Sequence, residues 1–173
     1  MSSYIHHLEC TACSEVHSAD RLWTVSSCCG KVLFPRCDLA AMRSEFDRDR
    51  LVGRPNDMWR FEELLPVRDP EFRIALGEGG TPLLEAAVLG EKLGLNSLFI
   101  KEEGLNPTGT FKARGISAAV SKAIELGASG FTMPSAGNAA GAGAVYCARA
   151  GVKLLVFMPR DAPEANKKEC LLA

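Results

Sequence analysis

Gly130-Phe-Thr-Met-Pro134, then Ser135-Ala-Gly-Asn138 leading into Ala139-Ala-Gly-Ala-Gly-Ala144, and after Gly151 the run Val152-Lys-Leu-Leu-Val-Phe-Met158, form the stretch on which the fold turns. The two apolar runs read as buried strands, and the Ala-rich segment from about Asn138 to Ala150 reads as a helix stopped by Gly151. Strand, helix and strand at this spacing predict two parallel strands joined by a right-handed crossover. Working outward, Thr110 to Leu126 carries Ile116, Val120, Ala123 and Ile124 at helical spacing before Gly127. Ser97-Leu-Phe-Ile-Lys101 is a further candidate strand, and Leu83 to Leu93 is compatible with a helix ended by Gly94. Asp161, Pro163 and Glu164 open one more helix. The alternation predicts an α/β fold, a parallel sheet with flanking helices, over residues 77–173.

Upstream the pattern changes. Residues 1–40 hold five of the seven cysteines (Cys10, Cys13, Cys28, Cys29 and Cys37) and all three histidines, with little helical periodicity, so they read as a small Cys-rich β module. Residues 41–76 are rich in Arg, Asp and Glu with scattered apolar anchors such as Trp59 and Phe61, a connector with short helices. Cys10-Thr-Ala-Cys13 has the spacing of a zinc knuckle, whereas the second knuckle reads Ser26-Ser-Cys-Cys-Gly30, with serine where a first cysteine is expected. A four-thiolate zinc site then requires Cys10, Cys13, Cys29 and either Cys28 or Cys37, and the set Cys10, Cys13, Cys29 and Cys37 is the one adopted as candidate metal ligands. The alternative is a metal-free remnant of the same module.

Composition excludes several classes. Twenty Lys and Arg against 21 Asp and Glu leave a net charge of −1, which provides no basic field for nucleic acid or an anionic membrane. No stretch is apolar for long enough to span a bilayer, and the first residues show no secretory signal, so a cytoplasmic location is expected. Seven cysteines in a reducing compartment read as thiols or metal ligands.

In an open α/β sheet, ligands gather where strands give way to helices. Leu105-Asn-Pro-Thr-Gly-Thr-Phe-Lys-Ala-Arg-Gly115 is one such loop, and it places Lys112 in the first turn of a helix that Thr110 can cap. A helix N-terminus disfavours an ammonium group, so the position favours a neutral, nucleophilic amine. In the second loop, the Ser135 hydroxyl with the backbone of Gly137 and Asn138 suits a carboxylate, and the Asn138 amide can donate to a ring hydroxyl. Each loop alone has a plainer reading, a solvated lysine over a helix start and a tightly packed Gly-Ala helix capped by Asn138. Dinucleotide binding at Gly137 to Gly143 does not fit, because the glycines lack the fingerprint spacing.

Together the two loops resemble pyridoxal-phosphate (PLP) enzymes of fold type II, the tryptophan synthase β-like family, and threonine synthases in particular. Leu105 to Gly115 is similar to the PLP-lysine motif, Ser135 to Asn138 to the substrate-carboxylate loop, and Gly77-Glu-Gly-Gly-Thr-Pro-Leu83 and Val156-Phe-Met-Pro159 also match in order. The resemblance implies that Lys112 holds the cofactor as a Schiff base and moves protons, that Asn138 binds the cofactor, and that Ser135, Gly137 and Asn138 hold the carboxylate of a small amino-acid substrate. It implies a lyase of threonine biosynthesis converting O-phosphohomoserine to threonine and phosphate, with a homodimer expected of a complete enzyme. Threonine synthases usually show Asp after the lysine and Thr before the Gly-Asn pair, where this chain has Ala113 and Ala136, so serine or threonine dehydratases, cysteate synthase-like enzymes and ammonia-lyases stay open. Members of the family are more than twice as long, and their later half supplies the glycine-rich phosphate loop. A truncated enzyme is therefore expected, or an inactive fragment with a zinc-ribbon binding module.

Overall fold

The computed structural model describes residues 3–173, and the chain divides into two compact units. One gathers Met1–Pro55, Trp59–Ile74 and Ala118–Ser129, and the other Asn56–Met58, Ala75–Ser117 and Gly130–Ala173.

In the first unit, β1 (Ile5–Cys10), β2 (Val16–Ser18) and β3 (Leu33–Cys37) form an antiparallel sheet in the order β2-β1-β3. The central strand pairs Leu8 with His17 on one side and with Pro35 on the other. Helix α1 (Leu39–Glu45) starts at Asp38, whose carboxylate accepts the Ala41 N–H at 2.9 Å. Beyond it come short 3-10 turns, two of them capped in the same way by Asp47 and Asp69. Ile5, Trp59, Val67 and Val120 are buried among these elements. Arg54 grips the buried Glu63 carboxylate with two bonds of 2.9 and 2.7 Å, so that charge is paired rather than stranded.

The second unit holds the predicted strand-helix-strand. β6 (Gly130–Pro134) and β7 (Lys153–Phe157) pair in parallel from Gly130 opposite Lys153 to Pro134 opposite Phe157, and α4 (Asn138–Ala150) connects them. Gly151 ends α4 at φ +70°, the left-handed conformation that a helix stop requires. α3 (Lys112–Glu125), whose residues 112–117 belong to this unit and 118–125 to the first, and α5 (Glu164–Leu172) also fall in the expected places.

The expectation for Leu83–Leu93 and for a single parallel sheet is corrected. Leu83–Glu85 is a strand, β4, and only Ala87–Leu93 is helical, as α2. β5 (Phe99–Lys101) pairs antiparallel with β4, Leu83 opposite Lys101, in a separate two-stranded sheet. The cause is local. α2 is only seven residues long, and Gly94, left-handed at φ +68°, reverses the chain behind it, so β5 returns beside the strand it has just left. No helix of the described residues is long and apolar enough to cross a membrane.

Candidate active site

Asn106 shapes the loop ahead of α3. Buried to 5% exposure, it donates through its side-chain amide to the Glu103 carbonyl at 2.8 Å and to Glu103 Oε2 at 3.0 Å, while its Oδ1 accepts the Gly79 N–H at 3.1 Å. Its backbone carbonyl accepts the Gly109 N–H, a tight turn made possible by φ +68° at Gly109. The Thr110 hydroxyl then accepts the Lys112 N–H at 3.2 Å, so Thr110 caps the helix start as its position in the sequence suggested. Lys112 is half-buried, with Nζ 4.3 Å from the centre of the Phe111 ring.

A second layer ties this loop down. Arg114 forks onto Glu103 with bonds of 2.6 and 2.7 Å, the Thr81 hydroxyl donates to the same carboxylate at 2.7 Å, and the Lys101 amine donates to the Thr81 carbonyl at 2.6 Å. The Arg114 guanidinium, helped by Thr81 and Asn106, holds the Glu103 carboxyl down to about 2 against the opposing effect of desolvation.

α4 begins without a side-chain cap. Gly137 is its N-cap residue, Asn138 is the first helical residue and is exposed, and the Ser135 hydroxyl accepts the Gly137 N–H at 3.4 Å. The structure thus assigns the cap position to Gly137 rather than Asn138. Behind it, Ala140 to Ala144 are buried. A Cβ on Gly143 would come within 3.2 Å of Leu154 and 3.3 Å of Met133, so this glycine lets α4 lie close on β6 and β7.

Lys112 opens α3, and Ser135 and Gly137 lead into Asn138 at the start of α4, all four residues belonging to the second unit. Their chemistry fits a cofactor with an aldehyde, a ring hydroxyl and an anionic partner: one amine, one exposed amide, one hydroxyl and the uncapped N-terminus of a 13-residue helix. One further observation favours a ligand here. The Thr108 hydroxyl, four residues before Lys112, is buried and has no hydrogen-bond partner among the described residues.

In this setting the comparisons with known proteins are decisive. The family model of the pyridoxal-phosphate dependent enzymes matches residues 74–173. The chain belongs to that family. Threonine synthase of Methanosarcina acetivorans is 37% identical over 156 residues, covering 90% of this chain and 37% of its own length. Threonine synthase of Methanocaldococcus jannaschii is 36% identical over 151 residues, with 87% and 37% covered. A crystal structure of a pyridoxal 5'-phosphate-dependent aspartate racemase superposes with a TM-score of 0.50 and 32% identity over 53% of this chain and 30% of that one. The chain thus spans little more than a third of the length of these threonine synthases.

The first unit carries a second cluster. Two turns of the same construction face each other, Cys10 to Ser14 with the Ser14 N–H bonded to the Cys10 carbonyl, and Ser26 to Gly30 with the Gly30 N–H bonded to the Ser26 carbonyl. Ser14 and Gly30 end them at φ +61° and +64°. Cys10, Cys13, Cys28 and Cys29 place their sulfurs within 4.8 Å of one another, with Cys10–Cys29 and Cys13–Cys28 at 3.2 Å, Cys13–Cys29 at 3.7 Å and Cys28–Cys29 at 3.8 Å. Of the four expected ligands the fold gathers Cys10, Cys13 and Cys29. Cys37 lies outside the group, on β3 opposite Ile5, and the weighed alternative, Cys28, takes the fourth corner. The serine in the first position of the second turn explains this: Ser26 turns its hydroxyl to the Cys10 sulfur at 3.4 Å, and its neighbour Cys28 provides the missing thiol.

The sequence assigned no role to Thr81, Glu103, Arg114, Asn106 or Glu78. The visible signal was weak, polar residues of ordinary type beside glycine turns. Three of the bonds span 22 to 68 residues, Thr81 to Glu103, Gly79 to Asn106 and Tyr146 to Glu78, beyond any local pattern, while Arg114 meets Glu103 across the turn that precedes α3.

Proposed function

We propose that this chain supplies the lysine-bearing part of a PLP-dependent lyase of amino-acid metabolism, of the threonine synthase type, taking O-phosphohomoserine to threonine and phosphate. The observation that carries the reading is Lys112, held at the start of α3 by Thr110 and by the Asn106 and Glu103 network, in a chain of the PLP family. Lys112 would hold the cofactor through Nζ and carry a proton to and from the substrate's Cα. Asn138 would bind the cofactor's ring oxygen, and Ser135 with the Gly137 and Asn138 N–H groups would fix the substrate carboxylate. When bound, the cofactor supplies the electron sink for a carbanion at Cα. Small substituents at Ala113 and Ala136, where threonine synthases usually carry Asp and Thr, favour keeping the related dehydratases, cysteate synthase-like enzymes and ammonia-lyases as the alternative.

The experiment is titration of the purified chain with PLP, borohydride reduction, and mass mapping of the modified lysine. Cofactor fixed on Lys112, and lost in Lys112→Ala, supports the reading. Label scattered over exposed lysines such as Lys153 and Lys168, with no preference for Lys112, sinks it.

A second observation supports a structural zinc ion in the β1–β3 module. Four thiolates around zinc at ~2.3 Å stand about 3.8 Å apart, and the four sulfurs of Cys10, Cys13, Cys28 and Cys29 are already grouped near that spacing. His17, with Nε2 3.7 Å from the Cys28 sulfur, and Ser26 are placed to support the thiolates from behind.

A further inference from the structure

Glu78 is a carboxylate with no exposure at all, in a turn of three consecutive left-handed glycine positions interrupted only by itself: Gly77, Gly79 and Gly80 have φ of +88°, +101° and +50°. Burying an ionised group this deeply is costly unless its oxygens are filled by donors. They are filled from three directions. The Ser117 hydroxyl of α3 donates to Oε1, the Tyr146 hydroxyl of α4 donates to Oε2 at 2.6 Å, and the Leu76 N–H donates to Oε2 at 2.8 Å. Desolvation, and then the Glu78 hydrogen bond, push the Tyr146 phenol far above its ordinary range, so Tyr146 stays a donor.

The partners are not arbitrary. Ser117 lies five residues after Lys112 on α3, and Tyr146 lies eight residues after Asn138 on α4. The turn that carries Glu78 also presents the Gly79 N–H to Asn106, in the loop that leads to Lys112. Its backbone is fixed in place: a Cβ on Gly79 would come within 2.3 Å of the Met58 nitrogen, and one on Gly80 within 2.0 Å of the Asn56 carbonyl oxygen. A single rigid carboxylate therefore bonds both helices whose first residues form the candidate site.

We propose that Glu78 is a positioning residue that sets the start of α3, with Lys112, against the start of α4, with Ser135 and Asn138, and so fixes the spacing between the amine and the carboxylate-binding loop. The proposal rests on the PLP reading for its consequence, although the bonding stands without it. Glu78 has no exposed surface to offer a cofactor or substrate. It acts through Ser117 and Tyr146, and through Asn106 by way of Gly79.

The test compares the full 173-residue chain with Glu78→Gln, Ser117→Ala and Tyr146→Phe by amide hydrogen exchange and by PLP trapping with borohydride. Glu78→Gln keeps the size but presents an amide N–H₂ to groups that themselves donate. Expected for Glu78→Gln is faster exchange concentrated in the first two turns of both α3 and α4, with α5 and the β6–β7 pair unchanged, and a loss of Lys112 trapping of about tenfold, the scale on which small misplacements act. Ser117→Ala is expected to loosen only the α3 start and Tyr146→Phe only the α4 start, milder changes that keep the question open to measurement should Glu78→Gln fail to fold. Exchange that is unchanged, or that rises evenly through the unit, overturns the proposal, as does intact trapping in Glu78→Gln or in both milder variants. If the unaltered chain shows no preference for Lys112, the PLP reading fails and the exchange pattern alone decides the role of Glu78.

Discussion

Glu103 and Arg114 show how much of this site is set by pairs that no short motif displays. Glu103 accepts from Arg114, Thr81 and Asn106, and its carboxyl lies at about 2, against an ordinary value of 4.5. A carboxyl whose folded value is depressed contributes stability that is complete above its unfolded value and disappears as pH falls towards the folded one. For Glu103 that window runs from about 4.5 down to about 2. The melting temperature is therefore expected to be level near neutrality and to fall through this window. In Arg114→Met the carboxyl returns towards its ordinary value, which costs about 2 kcal/mol at pH 7, the scale for a hydrogen bond to a charged group, and flattens the acid slope. Thermal melts of both proteins from pH 7 to pH 3 by circular dichroism check this, and an acid slope as steep in the variant as in the parent would refute it. Lys112 and Ser135 could be singled out as candidates in the sequence because they belong to compact loops. Glu78 could not, because what gives it a role is Tyr146, 68 residues away, and Arg114 could not, because its partners Glu103 and Thr81 lie outside the motif that contains it.

Among the elements, β6, α4 and β7 could be read in advance because each has an uninterrupted apolar run or an Ala-rich run with a glycine stop, and their pairing follows from chirality. β4 could not, since three residues contain no period and Leu83-Leu84 suits a helix as well as a strand. The β1–β3 module was legible as Cys-rich but not in its ligand set, because the choice between Cys28 and Cys37 depends on how two turns face each other. This yields a prediction at the scale of the module. Protein prepared with zinc should hold about one ion per chain. Cys28→Ser should release most of it and loosen β1 to β3, whereas Cys37→Ser should keep it, as measured by metal analysis after gel filtration and by amide exchange of the module. Retention by Cys28→Ser together with loss from Cys37→Ser would assign the fourth ligand to Cys37 instead.

Across the whole chain, apolar surface is distributed in a way that its sheets do not cover. Every residue of β4 and β5 is exposed, with Leu83 at 61% and Phe99 at 49%, and β7 presents Leu155 and Phe157 at 61% and 62%. Among the described residues each of these sheets has only two strands, fewer than independent stability in water usually needs, and edges of this kind offer backbone donors and acceptors to further strands. Large apolar side chains beside free edges attract other chains, because association both removes the side chains from water and completes the hydrogen-bond ladder. The 173-residue chain is thus expected to bind an apolar fluorescent dye while folded and to self-associate as its concentration rises. Leu155→Lys with Phe157→Lys places two charges on the exposed face of β7 and keeps the backbone that pairs with β6. The double variant should lower the weight-average mass in sedimentation at a given concentration and reduce dye binding by more than half, roughly the effect of breaking one contiguous patch. It should melt within a few degrees of the parent, since both side chains are already solvated. A parent chain that stays monomeric and dark to the dye at high concentration would show that these faces are closed in solution, and the free edge of β7 would then carry no driving force for assembly.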